Sequence, residues 1–397
     1  MTKLSSIVAA TLLSATAAFA APITKGSTGD YLVVPAYYAN TAGWTSNLKV
    51  TNTDTANAVV AKVVIREGGN SKEVRDFLIY LSPGDVWEAT MANVNGAVNL
   101  SSTDDSTVFN GVMTSTTNAF STNMVTSTAA NEDVTAGYIE VFGVAKIAGA
   151  SVTAGWTVGT PLSKTAIVTA YANAALPWAD VGTDLYATQT VSTAGAGSEL
   201  SVNIPTVAFN NFAETSRQGT VIAGQNTTLA LMTEKAAAAT LTEIDALLAT
   251  NTAYVNYSSN GTTVNETALY VNTPTKKYWY TELAGTLTTK GYTKVGTSGV
   301  ESDWVLPYSI TCRDQMENTP SAPVASELSG DTPIAATTAT FKKELSVISV
   351  SGNSCVAGYK DGVAQVNLTA APVIPVLMSA VTVGARNITS ASSPVTK

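Results

Sequence analysis

Apolar and polar residues alternate with a period of two along much of the chain, the spacing that sends successive side chains to opposite faces of a strand. The run Tyr31-Leu32-Val33-Val34-Pro35-Ala36-Tyr37-Tyr38 reads as a first strand, with Pro35 marking an edge or a bulge. Residues 46–52 read as a second. In a third, Val59, Ala61, Val63 and Ile65 share one face, with Lys62 and Arg66 on the other. Gly68-Gly69-Asn70 turns the chain, residues 72–81 return, Pro83-Gly84-Asp85 turns again, and Val86 opens a fifth strand. Residues 101–136 are rich in Ser and Thr and contain Asn110-Gly111, which predicts loops with one hairpin.

Strand patterns resume at 136–144, 150–158, 166–172 and 199–204. One stretch breaks the period. From 233 to 249, Leu241, Ile244, Leu247 and Leu248 recur at helical spacing after a Thr233-Glu234 start. Beyond it, 253–257, 267–272, Tyr278-Trp279-Tyr280, 304–310, 345–350 and 363–368 read as strands. The fold class expected is mainly β. An immunoglobulin-like β-sandwich over 21–148 is followed by a second β-rich domain over 149–397 that carries the helix near 233–249.

Residues 1–20 have the order of a signal peptide. Lys3 supplies the charged start, Ile7 to Leu13 the apolar middle, and Ala18-Phe19-Ala20 the small-residue cleavage site. The apolar run is shorter than the about 20 residues a spanning helix needs, so no transmembrane segment is expected after cleavage. Export places the chain at the cell surface or outside the cell. There Cys312 and Cys355, the two cysteines, would most simply form one disulfide. It would close a loop of roughly 40 residues and add about 3–4 kcal/mol in the chain-entropy picture. Two free thiols, or pairing between subunits, are the alternatives.

Charged residues make up only 13% of the chain, about half the usual share, so the surface is dressed with hydroxyls and amides. Net charge is −8 and the arginines are scattered, which argues against nucleic acid as a partner. Histidine is absent. Ser-His-Asp and Cys-His catalysis and His-ligated zinc are thereby removed, and no enzyme is expected. A carboxylate pair is the one enzymatic route left, but Asp104, Asp105, Glu132 and Asp133 sit in polar loops and read as solvated charge. Their alternative use is a Ca²⁺ site, the one cofactor the composition admits. Tyr278 and Tyr280 would share a strand face able to stack on sugar rings, or else lie half-buried in a core.

Several stretches together resemble a loose family of secreted proteobacterial cell-surface proteins of unassigned activity. They are residues 31–38, 76–87, 102–106, 137–141 and 272–277. The resemblance spans most of the chain beyond residue 20 and implies export. It brings no catalytic residues with it, and the chain is poorer in Cys and Arg near these landmarks than the family pattern. The composition, acidic and rich in Thr, Ala, Val, Ser and Asn, is similar to that of surface-layer (S-layer) proteins. The expected function is therefore a structural surface protein that self-associates into a layer or coat. A secreted adhesin or carbohydrate-binding protein is the alternative, and cell-surface polysaccharide or lipopolysaccharide is the further partner expected, as a means of retention on the cell.

Overall fold

The computed structural model describes residues 22–40, 43–109, 112–113, 120–123, 134–173, 175–195, 198–212, 237–258, 265–282, 287–314, 324–327, 334–335, 338–349, 361–383, 386–393 and 395–396. The fold is mainly β, with antiparallel pairing throughout the described ladders. The expected signal segment, 1–20, lies outside the described residues.

The first half is a two-sheet sandwich. Sheet I has eight strands in the order Thr24–Gly26, Val207–Asn210, Tyr31–Tyr38, Ala136–Ala148, Asn57–Glu67, Glu73–Leu81, Thr107–Phe109 and Val112–Met113. Sheet II has six, in the order Phe120–Asn123, Ala97–Ser102, Val86–Val94, Trp44–Asn52, Leu185–Gly195 and Ser198–Ile204. Between them Leu32, Val34, Val63, Ile65, Ile139 and Val141 of sheet I meet Leu48, Val50, Trp87, Met91, Leu100 and Leu185 of sheet II in one core. Trp87, fully buried, donates from Nε1 to Thr107 Oγ1 at 2.7 Å, so its one polar atom is satisfied.

The strands 185–195, 198–204 and 207–210 belong to this sandwich. It therefore continues past the boundary expected at 148/149. Residues 149–180 are an excursion from it, not the start of a new sheet. The strands expected at 150–158 and 166–172 are instead a short helix, Gly149–Val152, then turns and a helix, Lys164–Tyr171. The local reason is Ser163, whose side chain caps the helix by accepting from Ala166 N. The tertiary reason is the pair Ile167 and Tyr171, one turn apart, which bury against sheet I beside Val60, Leu78 and Tyr80.

Pro35 sits inside sheet I, not at an edge, and the pairing of its strand with 136–148 shifts register between Gly137 and Ile139. The bulge there accommodates a residue with no N–H to give to the ladder.

The second half builds two more sheets. Sheet III runs Thr293–Lys294, Trp304–Asp314, Asp361–Pro372, Ala249–Ser258, Val395–Thr396, with Thr338–Phe341 also paired to Trp304–Asp314. Sheet IV runs Ile334–Ala335, Val324–Glu327, Leu345–Ser349, Asn265–Asn272, Ile374–Val383, Arg386–Ser392. The helix expected near 233–249 is present over Ala237–Leu248, with Leu241, Ile244 and Leu248 buried.

One further element departs from expectation. Tyr278-Trp279-Tyr280 lies in a helix, Lys276–Glu282, which opens with Trp279 N bonding back to Thr275 O just after Pro274. Aromatic residues favour strands only as far as packing allows. Here Tyr278 and Trp279 each find a buried polar partner from the helix, described below.

The two halves share a core. On strands whose odd or even partners fill the sandwich, Tyr31, Val33, Val64, Tyr138 and Phe142 point the other way. They join Leu241, Val255, Leu269, Val271, Leu306, Val366 and Val376 of the second half. Sheet I is thus buried on both faces, and Tyr31–Tyr38 is buried at every position. A backbone bond crosses the same junction, from Leu345 N to Gly68 O. No described helix is long and apolar enough to cross a membrane.

Candidate functional site

The residues singled out from sequence are not brought together. Asp104 and Asp105 occupy the turn after Ala97–Ser102. Asp104 Oδ1 accepts from Ser106 N at 2.8 Å, and its own N–H donates to Ser102 Oγ. Partial burial raises the Asp104 carboxyl while the Ser106 bonds oppose the shift. Glu132 and Asp133 lie outside the described residues. Among the described residues no group of three or more acidic or sulfur ligands could hold a metal ion. Cys312 stands in Trp304–Asp314 opposite Ala364, and Cys355 lies outside the described residues. Tyr278 is buried, and Tyr280 donates from its hydroxyl to Gly299 O at 2.7 Å. Two residues apart on a helix they do not share a face.

The dominant polar constellation lies instead at the junction of the halves. Glu140, fully buried on sheet I, accepts from Tyr31 Oη at 2.6 Å, from Tyr278 Oη at 2.8 Å and from Arg66 Nε. Arg66 also donates to Tyr278 Oη at 2.8 Å and to Ser71 O at 3.1 Å. Its guanidinium lies 5.2 Å from the centre of the Tyr278 ring. Tyr138 Oη donates to Ser71 Oγ at 2.6 Å. The turn that presents Ser71 is itself fastened by Glu67, whose carboxylate accepts from Gly69, Asn70 and Lys72 N–H groups. Burial first, then the Glu140 charge, push the Tyr31 hydroxyl well above its ordinary value. Burial pulls Arg66 down, but the Glu140 charge, the Tyr278 and Tyr138 hydroxyls and the hydrogen bond to Glu140 together more than offset it and leave Arg66 raised. These tyrosines and this arginine stay in one protonation state through neutral pH.

A second group lies deeper in the later half. Asp245 accepts from Trp279 Nε1 at 2.7 Å and pairs with Lys290 at 3.0 Å, and the Lys290 ammonium stands 4.0 Å from the Trp279 ring centre. Glu301 pairs with Lys277 at 3.1 Å. Among the described residues neither oxygen of the fully buried Glu344 meets an N–H donor, and its polar neighbour is the Glu301 carboxyl. Burial, then the Glu301 charge, push its carboxyl well above the ordinary value. A buried acid beside another carboxyl is a proton-holding group, but Glu344 lies out of reach of solvent and so of a substrate.

Sequence reasoning passed over these residues. Arg66 and Glu140 did leave a signal: each is a charge in a strand made mostly of apolar residues, a position that demands a buried partner. Glu301 and Glu344 left none, being far apart in the chain and joined only by packing.

The outer face of sheet II has the opposite character. Five strands place Asn203, Thr190, Asn47, Thr90 and Ser101 side by side in register. Each of these is exposed or half-exposed. Lys49 and Glu88, paired at 3.3 Å, are the charges nearest this row. No protein-family model, curated protein or solved structure matches the chain.

Proposed function

We propose that this chain is an exported structural protein of the cell surface that associates with further copies of itself. The observation that carries the reading is the use made of charge. The described buried ion pairs Arg66–Glu140 and Lys62–Asp76 join neighbouring strands of sheet I, Asp245–Lys290 joins two segments of the second half, and Tyr278 brings the second half onto Arg66 and Glu140. The low share of charged residues, 13% of the chain, supports the same reading, because extended contacts between acidic copies need surfaces that do not repel. The test is electron microscopy of negatively stained protein, residues 21–397, with and without millimolar Ca²⁺. Ordered sheets or fibres are expected. Particles that stay monomeric in both conditions overturn self-assembly.

A further inference from the structure

Sheet II carries on its outer face a ladder of groups that repeats in two directions. Along one row run Asn203, Thr190, Asn47, Thr90 and Ser101, one per strand. Neighbouring members are spaced by the strand separation, about 4.8 Å. A parallel row two residues along, about 6.8 Å away, holds Ser201, Ser192 and Thr45. The side chains are set in place by one another. Thr190 Oγ1 donates to Asn203 Oδ1 at 2.8 Å, Asn47 Nδ2 donates to Thr90 Oγ1 at 3.3 Å, and the hydroxyls of Thr45 and Ser192 lie 3.0 Å apart. Asn47 Nδ2 also donates to Glu88 Oε1 at 2.8 Å, which uses both its N–H groups and leaves Oδ1 to accept, whereas the Thr90 hydroxyl and Asn203 keep capacity to donate as well, so the row offers both kinds of group outward with little ordering left to do.

We infer that this face binds a neutral polysaccharide, running across the strands. A repeating row is met best by a repeating partner, and sugar hydroxyls both donate and accept, as this row does. Charge points the same way. The chain carries a net −8, whereas the Lys49–Glu88 pair on this face cancels itself. An acidic polymer finds repulsion and no basic anchor, and a neutral one meets neither. A second copy of the chain is the poorer occupant. Protein interfaces centre on aromatic, Met and Arg residues, and the large apolar side chains exposed here are Val86, Val94 and Tyr186, away from the row. Tyr186, 41% exposed and across Thr51 from Val86, stands on the same face beyond the Lys49–Glu88 pair and offers a ring on which a further sugar of the chain can stack.

The inference is separate from self-assembly, and its test reads a different quantity. The protein is run in native gels cast with hydroxyethyl cellulose, dextran or galactomannan, and in gels cast with alginate. Retardation is expected in at least one neutral gel and not in alginate. The triple variant Asn47→Ala, Thr90→Val, Thr190→Val is expected to weaken retardation at least tenfold while keeping its mobility in plain gels and its unfolding midpoint. Thr169→Val, which removes an exposed hydroxyl on the Lys164–Tyr171 helix, is expected to leave binding unchanged. Free mobility in every neutral gel overturns the inference, as does equal retardation of the triple variant. Loss of self-association by the triple variant with no change in retardation also overturns it, and assigns the face to a second copy.

Discussion

The outer faces of sheets I and II start from the same two-residue alternation and end differently. On sheet I the outward positions are Tyr31, Val33, Val64, Arg66, Tyr138, Glu140 and Phe142, and all are covered. On sheet II they are Thr45, Asn47, Lys49, Thr90, Thr190 and Ser192, and all are at least half-exposed. Aromatic rings with opposed charges among them mark a face that will be covered, because the rings need burial and the charges then need each other. Ser, Thr and Asn mark a face that stays open, because water or a polar partner satisfies them at no cost in packing.

The largest effect expected is on the covered face. Arg66→Ala leaves Glu140 charged, buried and without its cation, which should cost about 3–5 kcal/mol, read as a lowered urea midpoint. Replacing both partners, Arg66→Met with Glu140→Leu, should cost less than either single change, since no orphan charge remains. If the double variant is as unstable as Arg66→Ala, the cover depends on more than that pair. Next comes Tyr278→Phe. It removes the hydroxyl that donates to Glu140 and accepts from Arg66, and should cost about 1.5–3 kcal/mol by the same measurement.

Glu344→Gln acts through pH. In the folded chain this carboxyl holds its proton to higher pH than in the unfolded chain, where it is released near 4.5. The folded state therefore binds more protons above that point, and stability falls as pH rises through the interval up to the folded value. The glutamine variant lacks this slope. It should be more stable than the parent at neutral pH, with the gain vanishing at about pH 4. A gain that persists in acid would assign it to packing instead. The smallest effect belongs to the open face, where Thr190→Val should change stability by no more than about 0.5 kcal/mol.

Much of the first sandwich is legible from alternation alone. The division of Val59, Ala61, Val63 and Ile65 from Lys62 and Arg66 is the division between the sandwich core and the junction. Asn95-Gly96, with positive φ at both residues, joins Val86–Val94 to Ala97–Ser102. It is the type of pair that announces a hairpin, though the sequence reading did not use it. What alternation does not carry is which segment closes a sheet. Strands 185–195, 198–204 and 207–210 return to the first sandwich after an excursion, and nothing local in them says so. Short segments such as 164–171 and 276–282 take the conformation their partners reward. Ile167 and Tyr171 need one helical face, while Tyr278 and Trp279 need two different partners. The candidate sites fared worst for the same reason: Arg66, Glu140 and Tyr278 meet across 212 residues of chain.

The covered face of sheet I also sets an order of events. A chain made from its N-terminus has every strand of both first sheets by residue 210, before the helix at 237–248 and sheets III and IV exist. During that interval the outer face of sheet I is wet, and its rings are open to other half-made chains. The charges Lys62, Asp76, Arg66 and Glu140, paired two by two within the sheet, then stand among those rings, the kind of residue that keeps a bare apolar strand from pairing with its neighbours. Arg66 and Glu140, which receive Tyr278 in the finished protein, thus also guard the first half while it waits for the second.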